Sequence, residues 1–165
     1  MSRTRHIVFG TGETIAGTVY GTIVVLAALV AGAANTEGRM WQLAAVVATT
    51  SIVLWLAHVY AHALAESVSE EQPIRARRLV DVGRREATIV LAAVGPCVAV
   101  VLGALDVLKD STALWLAVWL GVGTLAVQGL RYARIEQLGG LATLAVVGTN
   151  LALGLLIVAL KVAVG

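Results

Sequence analysis

Charged residues are scarce in this sequence, and their scarcity excludes an ordinary water-soluble domain. Only 13% of the 165 residues are charged, whereas 59% are hydrophobic and the mean hydropathy is +0.89. Soluble domains carry about 25% charged residues, and a chain of this length could not bury so much apolar surface in water. The composition therefore predicts an integral membrane protein, with the lipid bilayer as the solvent for most of the chain.

Cysteine is nearly absent, and so are the motifs of common enzymes. The single cysteine, Cys97, lies within an apolar run, so no intramolecular disulfide can form. We find no phosphate-binding loop, nucleophile triad, CxxC pair or haem-attachment motif. We therefore predict that the protein is not an enzyme. We attribute the net charge of +2 to orientation in the membrane and not to nucleic-acid binding.

The hydrophobic runs are long and lack the alternation of barrel strands, so they predict an all-α fold. A helix needs about 20 apolar residues to cross the hydrocarbon core of a bilayer. Five segments satisfy this length, and together they predict one transmembrane domain over residues 1–165. The predicted spans are 12–34, 41–65, 87–108, 112–133 and 140–163.

The distribution of basic residues predicts the orientation of this five-helix bundle. Lys and Arg accumulate in the cytoplasmic loops of membrane proteins. Nine arginines fall on one predicted side and three basic residues on the other: Arg3, Arg5, Arg75, Arg77, Arg78, Arg84, Arg85, Arg131 and Arg134 against Arg39, Lys109 and Lys161. We expect a multi-pass protein of the plasma membrane with its N-terminus cytoplasmic and its C-terminus extracytoplasmic.

The first hydrophobic run also ends in a triplet that resembles a signal-peptidase site, Ala31-Gly32-Ala33. The run is too long for the core of a signal peptide, and it contains Glu13 and Tyr20. We therefore expect it to be retained as a span.

One sizeable polar segment, 66–86, separates the second and third predicted spans. It holds Pro73 near a predicted helix start and four apolar residues among five arginines. This pattern predicts a short amphipathic helix on the cytoplasmic membrane surface. A solvated connector that follows the positive-inside rule is an equally consistent interpretation.

Two glycine patterns predict local packing inside the membrane. Gly17 and Gly21 form a GxxxG motif that allows close helix approach, and Gly148 with Ala152 forms a similar pair. The dipeptide Gly95-Pro96 interrupts the third predicted span and predicts a kink that frees backbone carbonyls.

Ionisable residues inside a membrane span are costly, so they are the candidate functional residues. His58 and His62 stand four residues apart and project from one helix face, the spacing with which a helix presents two imidazoles to one metal ion. Glu13 is expected at a similar depth on the neighbouring antiparallel helix. Two imidazoles and one carboxylate suit a divalent transition metal ion better than calcium or magnesium. Gln128 is a candidate for supporting such a site through its ligands.

Two other interpretations of the histidines stay open at this point. They could be structural, with hydrogen bonds to carbonyl or threonine oxygens of adjacent helices. They could also bind haem, although one helix with this spacing cannot supply both axial ligands and two copies of the chain would have to supply one each.

The N-terminal segment resembles the first span of the vacuolar iron transporter family. Residues 7–14 read Ile-Val-Phe-Gly-Thr-Gly-Glu-Thr, and in that family a Val-Phe-Gly is followed after two residues by Asp-Gly. The resemblance places Glu13 at the family's transport-site aspartate, and His58 and His62 at a Met and a Glu of the metal path. It also implies five spans and a homodimer. The family's acidic cytoplasmic metal-binding domain is missing, and Glu13-Thr14 replaces its Asp-Gly.

These features predict a dimeric transporter or permease for a divalent transition metal ion of the iron, manganese or zinc class. Glu13, His58 and His62 are the predicted ligands. The alternative is a non-transporting membrane scaffold or regulatory subunit on the same fold, and a third hypothesis is a haem-binding redox subunit. Convergence of the three side chains would favour transport, whereas their dispersal would favour the scaffold.

Overall fold

The computed structural model is all-α over the residues that it describes, as the sequence predicts. It describes the backbone of residues 2–35, 39–69 and 75–164, and the side chains of 12, 14–33, 39–69 and 75–159. These ranges contain no strand. The six helices are α1 Ser2–Asn35, α2 Met40–Ser69, α3 Ala76–Arg85, α4 Thr88–Ala104, α5 Asp110–Ile135 and α6 Gly140–Val164.

Four of the helices contain segments that are long and apolar enough to cross a bilayer: Thr14–Ala33, Met40–Ser69, Asp110–Ile135 and Gly140–Ala159. The helix in the third predicted span is shorter than the sequence suggests, because α4 has 17 residues and ends at Ala104 instead of continuing to 108. The pair α3 and α4 is bent by 51° at a two-residue break, and it passes the same hydropathy test only as a pair.

Two similar turns make α4 and α5, and then α5 and α6, neighbours. After α4, Asp106 adopts a φ of 58°, and the Val107 amide donates to the Leu102 carbonyl. After α5, Gln137 adopts a φ of 51°, and the Leu138 amide donates to the Ala133 carbonyl. This backbone pattern stops a helix and reverses the chain, although glycine is the usual residue at the left-handed position. Hydrophobicity therefore extends past the end of α4, but its helix does not.

Helix α1 lies at the centre of the bundle, in contact with α2, α4, α5 and α6. Its side chains Leu26 and Leu29 are fully buried, as are Leu43 of α2, Val100 of α4 and Leu125 of α5. These aliphatic contacts join the helices into one body. The outer faces of α2 and α6 carry many exposed apolar side chains, as expected for surfaces that face lipid.

The first glycine motif packs inside the chain. A Cβ atom added at Gly21 would lie 2.6 Å from the Ile89 carbonyl oxygen, and one at Gly17 would lie 2.5 Å from Thr88 Oγ1. The predicted close approach is confirmed, and its partner is α4 of the same chain. By contrast, no described atom of a neighbouring element lies within 4 Å of a Cβ built at Gly148.

Candidate metal centre

The two histidines of α2 point toward α1 and the α3–α4 break. The ring centroids of His58 and His62 are 4.8 Å apart, and the ring of Tyr20 on α1 lies 5.4 Å from that of His58. Between them in sequence, Val59 is buried with Val82 of α3. One face of α2 thus packs on α3, and the adjacent face carries the two imidazoles toward α1 and the α3–α4 break.

Glu86 completes a three-residue cluster with the histidines. It lies in the two-residue break between α3 and α4, where its amide donates to the Val82 carbonyl. Its Oε1 lies 3.5 Å from His62 Nδ1, and its side chain is 14% exposed, whereas that of His62 is 50% exposed. One ligand atom from each of His58, His62 and Glu86 lies within 4.8 Å of the others.

These distances approach the dimensions of a metal site. Zinc-like ions bind histidine nitrogen and carboxylate oxygen at about 2.0–2.2 Å, which puts two ligands of a tetrahedral ion roughly 3.4 Å apart. The His62–Glu86 pair is already at 3.5 Å. The widest separation, 4.8 Å, needs to close by roughly 1–1.5 Å to reach that ligand spacing. The imidazole of His62 is half exposed and so has room to rotate, and a cluster tightened to this spacing could hold an ion with one or more positions left for water.

Helix α3, which directly precedes Glu86, is held against α2 by polar contacts. Arg85 Nη2 donates to Glu66 Oε1 at 3.0 Å, and Arg78 Nε lies 3.9 Å from Glu66 Oε2. The indole nitrogen of Trp55 donates to the Gly83 carbonyl at 3.1 Å. These contacts hold α3 against α2, and Glu86 is the residue that directly follows α3.

The sequence prediction included His58 and His62 but missed Glu86. Glu86 is one of several acidic residues in a polar segment, and only its position next to an apolar run distinguishes it. That position was an available signal, because a carboxylate at the end of a span has few polar neighbours. Its approach to the histidines depends on the bend before α4, which no sequence pattern specifies.

The side chain of Glu13, the third predicted ligand, lies outside the described residues. The backbone of α1 is helical there, and position 13 precedes Gly17 by one turn on the same helix face. A Cβ atom added at Gly17 would lie 3.8 Å from Glu86 Oε2. Position 13 therefore lies on the face of α1 that borders the cluster, and the role of Glu13 stays a prediction.

Gln128, the predicted supporting residue, is buried on α5 with 6% exposure. Its Oε1 accepts a hydrogen bond from Arg131 Nη1 at 3.3 Å. Among the residues that the structure describes, no hydrogen bond joins it to the histidines or Glu86. Its predicted part in the metal site has no described contact to support it.

A hollow of about 300 Å³ with a mixed polar and apolar lining lies beside the cluster, between α1, α4 and α5. Thr88, two residues after Glu86, contributes a buried Oγ1 that has no hydrogen-bond partner in the described part of the chain. Pro96 also lines the hollow, and because proline lacks an amide hydrogen, the Ala92 carbonyl loses its usual helical partner. The remaining polar lining comes from Thr14, Thr18, Thr124 and Arg131.

No protein-family model, curated protein or solved structure matches this chain.

Proposed function

We propose that this chain is a membrane transporter for a divalent transition metal ion, with His58, His62 and Glu86 as its binding site. The observation that carries the proposal is the convergence of these three ligand groups from two elements within 4.8 Å. The donor set of two imidazoles and one carboxylate favours iron(II), manganese or zinc over calcium or magnesium, which prefer all-oxygen sites.

The location of the cluster fits an entry site at the cytoplasmic surface. Five arginines lie in 75–85 beside it, and such accumulation is typical of cytoplasmic loops. In this topology α3 lies along the surface and α4 crosses as the fifth span, since 17 residues are about the minimum for a bilayer. We also propose that the protein lies in the plasma membrane with its N-terminus cytoplasmic and its C-terminus extracytoplasmic.

The hollow beside the cluster favours transport over simple binding. It extends from Thr88, next to the metal ligands, to Gly95 and Pro96 in the middle of α4. Threonine hydroxyl groups, and the Ala92 carbonyl that lacks an amide donor at Pro96, can replace part of the hydration shell that an ion loses on leaving water. The Arg131 guanidinium lines the same space and repels cations, so we infer that it limits the rate of passage.

The resemblance to vacuolar iron transporters supports this proposal through the positions of His58 and His62. Glu13 remains a further candidate ligand in it. A homodimer is also part of the proposal, but Gly17 and Gly21 do not argue for it, because they pack on α4 within one chain.

Metal binding is tested by isothermal titration of the purified protein with zinc, manganese and iron(II). Wild type should bind one ion per chain, His58→Ala/His62→Ala should lose binding, and Glu86→Gln should weaken it by at least about tenfold. The control is Glu136→Gln, which removes a carboxylate at the end of α5 and should leave metal binding unchanged. Unchanged binding in the double histidine variant would refute the site.

Transport is tested separately, in proteoliposomes that contain a metal-sensitive dye. Wild type should show metal uptake that the double histidine variant lacks. Binding without uptake would refute transport and support the alternative, a non-transporting membrane scaffold or regulatory subunit. A coloured purified protein with a haem absorption band would support the haem-binding hypothesis instead.

A further inference from the structure

An apolar groove separates α2 from α3 on the outer surface of the protein. It has a volume of about 600 Å³ and is open along one side. Leu56, Val59 and Tyr60 of α2 form one wall, and Leu79 and Val80 of α3 form the other. We refer to it as the α2–α3 groove. Its size and lining suit a section of a hydrocarbon chain.

The floor of the groove is fixed by a specific contact. Trp55 lies across it with its indole nitrogen bonded to the Gly83 carbonyl. A Cβ atom at Gly83 would lie 3.2 Å from Trp55 Cζ2, so glycine lets the indole lie flat against α3. The groove is therefore a formed feature of the α2–α3 packing and not a gap between loosely placed helices.

The rim of the groove carries positive charge that the protein does not neutralise. Arg78 and Arg85 pair with Glu66. Arg77 and Arg84 are exposed and form no ion pair among the described residues. They stand seven residues apart and so share a face of α3 with Val80, and Arg84 lines the groove itself. The acidic residue Asp81 lies nearby, but it offsets only one of the two arginines, so this face keeps a net positive charge.

We propose that the α2–α3 groove binds an anionic phospholipid. One acyl chain lies along Leu56, Tyr60 and Val80, and the headgroup phosphate pairs with Arg77 and Arg84. Charge complementarity selects this ligand, because a phosphatidylglycerol headgroup adds no cation, whereas the choline group of a zwitterionic lipid is repelled by the two arginines. The proposal does not depend on metal transport.

Trp55 provides a direct probe of the groove. The other three tryptophans, Trp41, Trp115 and Trp119, are exposed apolar side chains, so their replacement by phenylalanine should leave the fold intact. This single-tryptophan protein is placed in nanodiscs that contain either dibrominated phosphatidylglycerol or dibrominated phosphatidylcholine. Bromine quenches indole fluorescence on contact. Half-maximal quenching of Trp55 should need several-fold less phosphatidylglycerol than phosphatidylcholine.

The basic rim is tested in the same protein with Arg77→Gln/Arg84→Gln. Each arginine near a membrane surface contributes roughly a factor of five to affinity for anionic lipid, so the double variant should lose the preference. Arg134→Gln is the control for the loss of a single exposed arginine far from the groove in sequence, and it should keep the preference. Native mass spectrometry of the protein with all four tryptophans should show one retained phosphatidylglycerol, which the double variant lacks.

Three results would overturn the proposal. Equal quenching by the two lipids would show an ordinary lipid-facing surface. A preference that survives in the double variant would show that general basic charge, and not this rim, attracts the lipid. A loss of preference in Arg134→Gln as large as in the double variant would lead to the same conclusion.

Discussion

The crossing of α1 and α4 and the corner of α2, α3 and α4 are built in opposite ways. At the crossing, glycine brings two backbones together, with no space for a methyl group between Gly21 and Ile89. At the corner, polar side chains join the elements beside an apolar contact: Glu66 pairs with Arg78 and Arg85, and Glu86 lies 3.5 Å from His62. Both regions lie next to the same short break between α3 and α4.

This difference assigns stability and chemistry to different residues. Close backbone packing is hard to change without loss of the fold, because neighbouring backbone cannot move away from an added atom. Exposed or half-buried ion pairs contribute little to folding free energy, commonly 0–1 kcal/mol. The corner can therefore carry a metal site whose ligands are replaceable, provided that the crossing holds α4 in place.

The largest expected effect comes from a methyl group at the crossing. Gly21→Ala places a Cβ atom against the Ile89 carbonyl and should lower the free energy of unfolding by about 3 kcal/mol. Gly123→Ala is the control, because nothing described lies within 4 Å of its Cβ position. The control should be neutral or slightly stabilising, since alanine favours the helix. Equal stability of the two variants in denaturant titrations in detergent would contradict the proposed tight crossing.

The second effect tests whether the corner and the crossing act independently. A metal ion at 100 times its dissociation constant should stabilise wild type by about 2.7 kcal/mol. Under conditions in which it is folded, Gly21→Ala should keep this increment, because its added methyl group meets the Ile89 backbone and not the ligands. Glu86→Gln should lose most of the increment. The measurement is thermal unfolding with and without metal. Loss of the increment in both variants would show that the two regions are coupled.

A smaller effect is expected from the contacts that position α3. Glu66→Gln removes the charge that pairs with Arg78 and Arg85, and it should cost at most about 1 kcal/mol of stability because these groups are partly exposed. Metal affinity should fall as well, since the end of α3 sets the position of Glu86. Glu136→Gln, at the end of α5, should change neither quantity. A normal metal affinity in Glu66→Gln would show that Glu86 is held by α4 alone.

The sequence predicts the features that depend on local spacing. The separation of four residues predicts the neighbouring rings of His58 and His62, and the GxxxG motif predicts the close approach at Gly17 and Gly21. The amphipathic pattern after Pro73 predicts a helix where α3 lies. Each of these follows from the 3.6-residue period of one helix.

The missed features depend on contacts between elements. The contribution of Glu86 follows from the bend between α3 and α4, and the GxxxG motif does not reveal which helix it contacts. Hydropathy overestimates the length of α4. Leu105, Val107 and Leu108 are apolar, but they follow the end of the helix and surround the left-handed residue Asp106. Composition predicts whether a segment can lie in lipid, whereas the backbone hydrogen bonds determine where its helix ends.

The smallest effect concerns a hydroxyl group that lies between the two regions. Thr88 Oγ1 is buried without a described partner, whereas Thr22 Oγ1 donates to the Thr18 carbonyl at 2.7 Å. Both alanine variants lose a methyl group, but only Thr22→Ala loses a hydrogen bond, so Thr88→Ala should be about 1 kcal/mol more stable than Thr22→Ala. In proteoliposomes Thr88→Ala should nevertheless slow metal uptake, because its hydroxyl lines the hollow next to Glu86. Nearly unchanged stability together with reduced uptake is the result expected if the Thr88 hydroxyl serves transport. Undiminished uptake would exclude the hollow as the path of the ion.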